Sequence, residues 1–401
     1  MRRSGLLVLV VVGMLSVLPA GSLGAPSGGV QLLGAVIPLT GRFASGGAQV
    51  RAGYEIATED INARGGLQVG NRRIRLEIVM LDDESNPTQT VSRLETLAQQ
   101  GVVGYLGGFG SDLHAAAAAV AEKNKIPYCG VAFALHSVHQ QRFKYLFSPF
   151  IKSPAIALGT YQFLNGTIPA AQRPRRVAIF AERTDWGREL DRLWTARSTE
   201  FGYQVVLSAE YTVGTRDFSD LILRAKAAGA EIVLSVPTPP DGITLIRQMK
   251  ELDFNPKAVL MIRAPDAPSW TQALGKDGDY VLLTPGWHNS FKAPGVDELN
   301  AKHQQRFGRR ADVITGPAYA CVQIMAAAIE KAGKLDATAI RDALAATNMQ
   351  TVVGPVRFRP DGTGIQPFVV VQWQNGTQQM VWPKELGAVQ FVYPARPWRE
   401  R

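Results

Sequence analysis

Cysteine is almost missing from this chain: Cys129 and Cys321 are the only two in 401 residues. That excludes a small disulfide-stapled scaffold and a cysteine-rich metal site. The two lie far apart, one in an apolar strand pattern and one in an apolar helix pattern, and buried free thiols are the expectation. Histidine is scarce as well, and no H-E-x-x-H occurs. His136 and His139 form an H-x-x-H with no Cys or carboxylate nearby in sequence to complete a metal site, so they are expected as a surface pair. The G-x-S-x-G nucleophile elbow and the P-loop are absent, and the glycines between Gly104 and Gly110 do not spell the dinucleotide fingerprint. An enzyme is therefore not expected, nor a metal or a cofactor.

Long apolar runs are also lacking. The longest, Leu6 to Leu18, is shorter than the roughly 20 residues that span a bilayer. It follows Met1-Arg2-Arg3 and precedes the small residues Gly21, Ser22, Gly24 and Ala25. That order predicts a secretory signal peptide over residues 1–24, cut near Gly24. No cysteine stands near the cut to carry a lipid. A soluble protein exported to the periplasm is expected. The formal charge of +9 includes Arg2 and Arg3 of the leader. The remaining Lys and Arg are scattered, with only small knots at Arg173, Arg175 and Arg176 or at Arg309 and Arg310. No basic stripe with interleaved aromatics marks a nucleic-acid partner.

What is present is an alternation of strand and helix patterns. Leu32 to Pro38 is a continuous apolar run, as in a strand buried on both faces. Val50, Tyr54, Ala57 and Ile61 follow at helical spacing. Ile74 to Leu81 alternates as a strand. Asn86, Pro87 and Gln89 mark a capped helix start. Further strand and helix patterns run to about Val131. After a pause at Pro149 and Pro154 a second α/β series begins at Val177 and runs to Thr284. Three helical patterns follow, and then late strands near Val352–Phe358, Phe368–Trp373 and Met380–Trp382, with turns at Asp361-Gly362 and Asn375-Gly376. Two doubly wound parallel-sheet lobes are expected, with a ligand where the carboxyl ends of their strands face each other.

The strongest binding signal is the loop Gly107-Gly108-Phe109-Gly110-Ser111-Asp112. Glycines let backbone approach a ligand closely. Ser111 falls at a helix start, where free N–H groups favour an anion such as a carboxylate. Arg42 to Gly47, with Phe43, occupies the equivalent strand-to-helix position, and so does Thr184 to Gly187 in the second series. Trp186 there, and Trp287 after the Thr284-Pro285 crossing, are candidates to stack on a ligand.

Gly34-Ala-Val-Ile-Pro-Leu-Thr-Gly41 and Asp60-Ile-Asn-Ala-Arg-Gly-Gly66 resemble the opening of the leucine/isoleucine/valine-binding proteins. Asp82-Asp83 with Asn86-Pro87, the Gly107–Ser111 loop, Asp217-Phe218-Ser219 and Val353-Gly-Pro-Val-Arg-Phe358 continue the resemblance over nearly the whole mature chain. Those proteins are periplasmic components of ABC importers of branched-chain amino acids, with a type I fold of two lobes joined by three crossovers. The resemblance implies one lobe from residues 30–148 plus 285–354 and another from 149–284 plus 355–401. It implies a ligand carboxylate on Ser111 and a backbone carbonyl contact at Ala132. The family's partner threonine falls at Ala134, its first-loop tyrosine at Gly46, its second-lobe aromatic at Trp186 and its second-lobe tyrosine near Thr238. Its short disulfide is missing, because Ser85 and Gly110 stand at those places. The acid that pairs with the ligand ammonium falls near Arg263; Asp185, Asp241 and Asp266 are possible stand-ins. An Arg263 facing the cleft would favour an aromatic acid or a dicarboxylate over leucine; an Arg263 facing solvent would not. The expected function is a monomeric, non-enzymatic substrate-binding component that closes on a small carboxylate-bearing solute and presents it to a membrane permease. A ligand-sensing partner of a signalling receptor, or a binder of aromatic acids, dicarboxylates or amides, is the alternative.

Overall fold

The computed structural model describes residues 33–401. The leader expected over residues 1–24, and the first residues of the lobe expected from Val30, lie outside them. Among the described residues no helix is long and apolar enough to cross a membrane.

The chain begins with β1 (Leu33–Ile37), α1 (Ala44–Ala63), β2 (Leu67–Val69), β3 (Arg72–Ile74), β4 (Ile78–Asp82), α2 (Pro87–Gln99), β5 (Gly104–Leu106), α3 (Ser111–Asn124), β6 (Tyr128–Cys129) and β7 (Leu146–Phe147). A parallel sheet forms in the order β4-β1-β5-β6-β7. Every residue of β1 is buried, which is why its sequence is apolar without alternation. The alternating stretch Ile74–Leu81 is divided: β2 and β3 pair as a hairpin turned at Gly70 (φ 56°), and only β4 enters the sheet. Asn86 caps α2 as its sequence predicts, its side chain accepting from the Thr88 and Gln89 N–H groups.

The second series comprises α4 (Ser153–Thr167), β8 (Arg176–Glu182), α5 (Asp185–Ser198), β9 (Gln204–Tyr211), α6 (Ser219–Ala227), β10 (Ile232–Ser235), α7 (Pro239–Glu251), β11 (Ala258–Met261), α8 (Ser269–Leu274) and β12 (Val281–Leu283). Then α9 (Val296–Phe307), α10 (Thr315–Ala332), α11 (Ala337–Ala345), β13 (Asn348–Thr351), β14 (Gly354–Arg357), β15 (Val370–Gln374) and β16 (Thr377–Trp382) follow. The second sheet has the order β16-β15-β12-β11-β10-β8-β9, with β15 alone running against the rest, antiparallel to both β12 and β16. Asn375 (φ 50°) and Gly376 (φ 72°) turn the β15–β16 hairpin, since an Asn-Gly pair accepts two left-handed residues in succession.

The chain passes between the lobes three times: after β7, after β12 and after β14. The first and third passages are tied where Ser148 N–H donates to Gly362 O at 2.9 Å and Gly364 N–H donates to Ser148 O at 2.8 Å. The strand expected among the second lobe's from residue 355 does not join that sheet. Gly354 (φ 91°) turns it back as β14 onto β13, and Gln323 of α10 accepts from Val352 N–H at 3.1 Å.

The cysteines correct the expectation of free thiols. Cys129 on β6 and Cys321 on α10 are joined as a disulfide, with Cα atoms 6.0 Å apart, inside the usual 4.4–6.8 Å range. The second passage carries α10 back across the first sheet, and that return brings the two residues together.

Candidate functional site

The site is built from loops at the ends of parallel strands. Gly108 sits so tightly on β1 that a Cβ there would lie 2.9 Å from Val36 O, and Gly110 (φ 113°) turns the chain into α3. Ser111 therefore opens the helix beneath a cavity. Its Oγ accepts from the N–H groups of Ala134 and Leu135, each at 3.3 Å. With both lone pairs engaged, the hydroxyl proton is left to donate. The first N–H groups of α3 add donors with no partner inside the helix.

From the other lobe comes Trp186, in the first turn of α5. Its indole N–H donates to Ser153 Oγ at 3.2 Å, and Ser153 Oγ donates to Ala134 O at 3.0 Å. One bonded chain thus joins the second lobe's aromatic to the loop that orients Ser111. Behind that loop, buried Lys152 donates to Phe133 O and, at 2.7 Å, to Ser148 Oγ. The lobes also touch directly. Glu189 of α5 accepts from His136 and Ser137 N–H, each at 2.8 Å, and Gln49 of α1 donates to Asp266 O at 3.3 Å.

Between the lobes lies a small, narrow cavity. Phe109, Phe150, Trp186 and Ile262 form apolar walls, and Ser111, Asp266 and Thr284 bring polar groups to it. Arg263 also reaches the cavity, from a left-handed backbone (φ 81°) that a side chain adopts only when its surroundings compel it. Its guanidinium donates to Glu182 at 2.5 Å and to Val236 O at 2.9 Å. It lies 5.0 Å from the Trp186 ring centre and 4.9 Å from that of Phe43. Burial works to lower the Arg263 pKa, but the carboxylates of Glu182 and Asp112 outweigh it and hold the cation above its ordinary value. Asp266 differs: it is 5% exposed, its Oδ1 has no hydrogen-bond partner, and burial pushes its carboxyl up to about 8 against a smaller opposing pull from Arg263. Thr284 Oγ1 is likewise buried without a partner.

A chain with this two-lobed frame and a cavity at its seam matches a known sequence profile over residues 32–378, that of the periplasmic binding proteins. The chain belongs to this family. The Leu/Ile/Val-binding protein homolog 7 of Brucella abortus is 25% identical over 377 residues, 90% of this chain and 93% of the relative. In fold, this periplasmic binding protein is similar to the substrate-binding protein of a branched-chain amino acid transporter from Streptococcus pneumoniae, solved in complex with isoleucine. Their TM-score is 0.78, with 17% identity over 91% of this chain and 99% of that one. It is also similar to a solute-binding protein from R. palustris solved in complex with benzoate. There the TM-score is 0.76, with 15% identity over 92% of this chain and 98% of that one.

Of the residues nominated from sequence, Ser111, Ala132, Ala134, Trp186 and Arg263 line the cavity of the binding protein. Four others do not. Phe43 stands one layer behind, edge-on to Phe109 at 6.0 Å, with Arg42 and Arg263 over its ring. Asp185 is exposed, because Thr184 caps α5 and successive helix positions diverge: Trp186 turns in and Asp185 turns out. Thr238 is spent capping α7. Trp287 is a core residue, its ring filling the space over Gly316 and its N–H bonded to Val352 O at 2.8 Å. Among the stand-in acids, Asp241 is engaged by Gly214 N–H, and Asp266 is the one on the cavity. His139 is buried against Phe133 rather than part of a surface pair. Phe150 and Thr284 were legible from no motif, since each belongs to an inter-lobe passage.

Asp266 carries a pH signature. Its folded pKa lies above the unfolded value of 3.8. Its contribution to stability is therefore complete below about pH 4 and is lost as pH rises towards about 8. Asp266→Asn is expected to stabilise the empty protein by about 2–5 kcal/mol at pH 8 and to have little effect at pH 4. Urea unfolding at the two pH values measures this; an advantage independent of pH would contradict it.

Proposed function

We propose that this protein is the substrate-binding component of an ABC importer, capturing a small carboxylate-bearing solute in the periplasm, as a monomer, after removal of the leader at residues 1–24. Ser111 carries the reading, because its hydroxyl has one proton to give and its oxygen is already saturated by Ala134 and Leu135. The ligand carboxylate takes that proton and the α3 N–H groups. Isoleucine and benzoate, bound by the two similar proteins, share a carboxylate.

The rest of the cavity favours an apolar α-amino acid. Arg263 faces the cleft, but its charge is committed to Glu182, so it does not act as a free cation repelling an ammonium group. Asp266, with its unpartnered oxygen, and the Ala132 carbonyl are the acceptors for that group, and Phe109, Phe150, Trp186 and Ile262 enclose the side chain. Closure of the lobes about their three passages selects the ligand-bound state and presents it to a permease.

A thermal-shift screen of the mature protein against apolar amino acids, aromatic acids, dicarboxylates and amides tests the reading, because a ligand of the native state raises Tm by mass action. Apolar amino acids are expected to give the largest shifts; an aromatic acid that outperforms them overturns the role of Asp266. For the hit, Ser111→Ala should weaken binding about 10- to 100-fold, the loss of a hydrogen bond to a charged group. Unchanged affinity by calorimetry removes Ser111 from the site.

A further inference from the structure

A second cavity lies on the first lobe, away from the cleft, between the edge strand β7, helix α11 and the segment that leaves β14. It is an open groove of about 650 Å³. Arg142, Lys144, Arg341, Arg357 and Arg359 line it, with Asp361 as the one acidic residue among its walls. Phe147 and Phe358, in contact at 5.2 Å between ring centres, lie in its floor.

The charges of this groove are unbalanced. Some cations elsewhere meet carboxylates, as Arg306 meets Glu55 and Glu59, and Lys257 meets Glu231. Among the described residues, Arg142, Lys144, Arg357 and Arg359 have no carboxylate at ion-pairing distance. Asp361 is occupied by the N–H and hydroxyl of Thr363, at 3.0 and 2.7 Å. Arg341 pairs with Asp342 at 2.9 Å, yet its Nε is buried without a partner. Like charges gathered in one concavity raise the local potential and concentrate counter-ions there. Guanidinium forks match the paired oxygens of phosphate, and four such groups around one groove suit a ligand with several negative charges.

We propose that this groove is a second binding site, for a polyanion of the phosphate class. A free phosphate ester or polyphosphate and an anionic phospholipid headgroup present the same chemistry. The test uses the mature protein at about 0.02 M ionic strength, where screening is weak. Sodium tripolyphosphate is titrated by calorimetry, and vesicles of phosphatidylglycerol or of phosphatidylcholine are sedimented with the protein. Tripolyphosphate is expected to bind one to one, and Arg142→Gln/Arg357→Gln to weaken it about tenfold or more, with Tm unchanged because both side chains are exposed. Lys144→Gln provides a second, independent variant with the same expected direction. Phosphatidylglycerol vesicles that sediment the wild type but not the variant, without binding of tripolyphosphate, assign the site to a headgroup. Binding of tripolyphosphate alone assigns it to a soluble phosphate compound. Binding of neither, or equal binding by the variants, overturns the proposal.

Discussion

Arg263→Met is expected to destabilise the protein by about 3–5 kcal/mol, because it strands Glu182 as a buried, unpaired carboxylate. The two side chains are 5% and 3% exposed, so water cannot replace the lost partner. The deficit has a sign in pH. Burial already works to raise the Glu182 carboxyl, and without Arg263 nothing of comparable strength pulls it back down. A group with a raised folded pKa contributes least at high pH. The loss is therefore greatest at high pH and shrinks as pH falls and Glu182 accepts a proton. Arg263→Met/Glu182→Leu should recover most of it, since removing both charges costs far less than removing one. Urea unfolding of the two single variants and the double variant measures the coupling. Additive losses would show that the ion pair is not what holds this corner together. The same variants bear on the proposed binding of an amino acid, which rests on Glu182 neutralising Arg263.

Reducing the Cys129–Cys321 disulfide is expected to cost about 5 kcal/mol, with Tm falling by about 5–10 °C. The link closes a loop of 192 residues, and the chain-entropy cost of leaving so long a loop open in the unfolded state is large. Melting curves with and without dithiothreitol test this directly. Cys321→Ala should melt with the reduced protein, and a disulfide-free variant as stable as the oxidised wild type would refute the assignment.

Much of the lining of the candidate site was legible in sequence for a local reason. Ser111 is recognisable because a glycine loop between an apolar strand and an Ala-rich helix is a short-range pattern, and the same holds for the Asn86 cap and the Asn375-Gly376 turn. Trp186 was legible as a large aromatic in a strand-to-helix loop. The same argument failed for Trp287, because a passage between lobes looks like a loop in sequence yet packs as core, with Gly316 leaving room for its ring. It failed for Asp185 by one residue, since a helix start turns adjacent side chains about 100° apart. Arg263 was legible as a departure from the family pattern, but its effect depended on a partner 81 residues earlier in the chain.

By itself the sequence determined the alternation of strands and helices, the two α/β series, the turns and caps, and the serine at the head of α3. These depend on side-chain periodicity and on backbone preferences that act over a few residues. The tertiary structure decided which distant groups share a low-dielectric space. It joined Cys129 to Cys321, gave Arg263 a carboxylate, left Asp266 Oδ1 without a hydrogen-bond partner, and gathered five cations from three segments into one groove. Burial and charge pairing act through space, and three passages between the lobes bring residues far apart in the chain to the same few ångströms.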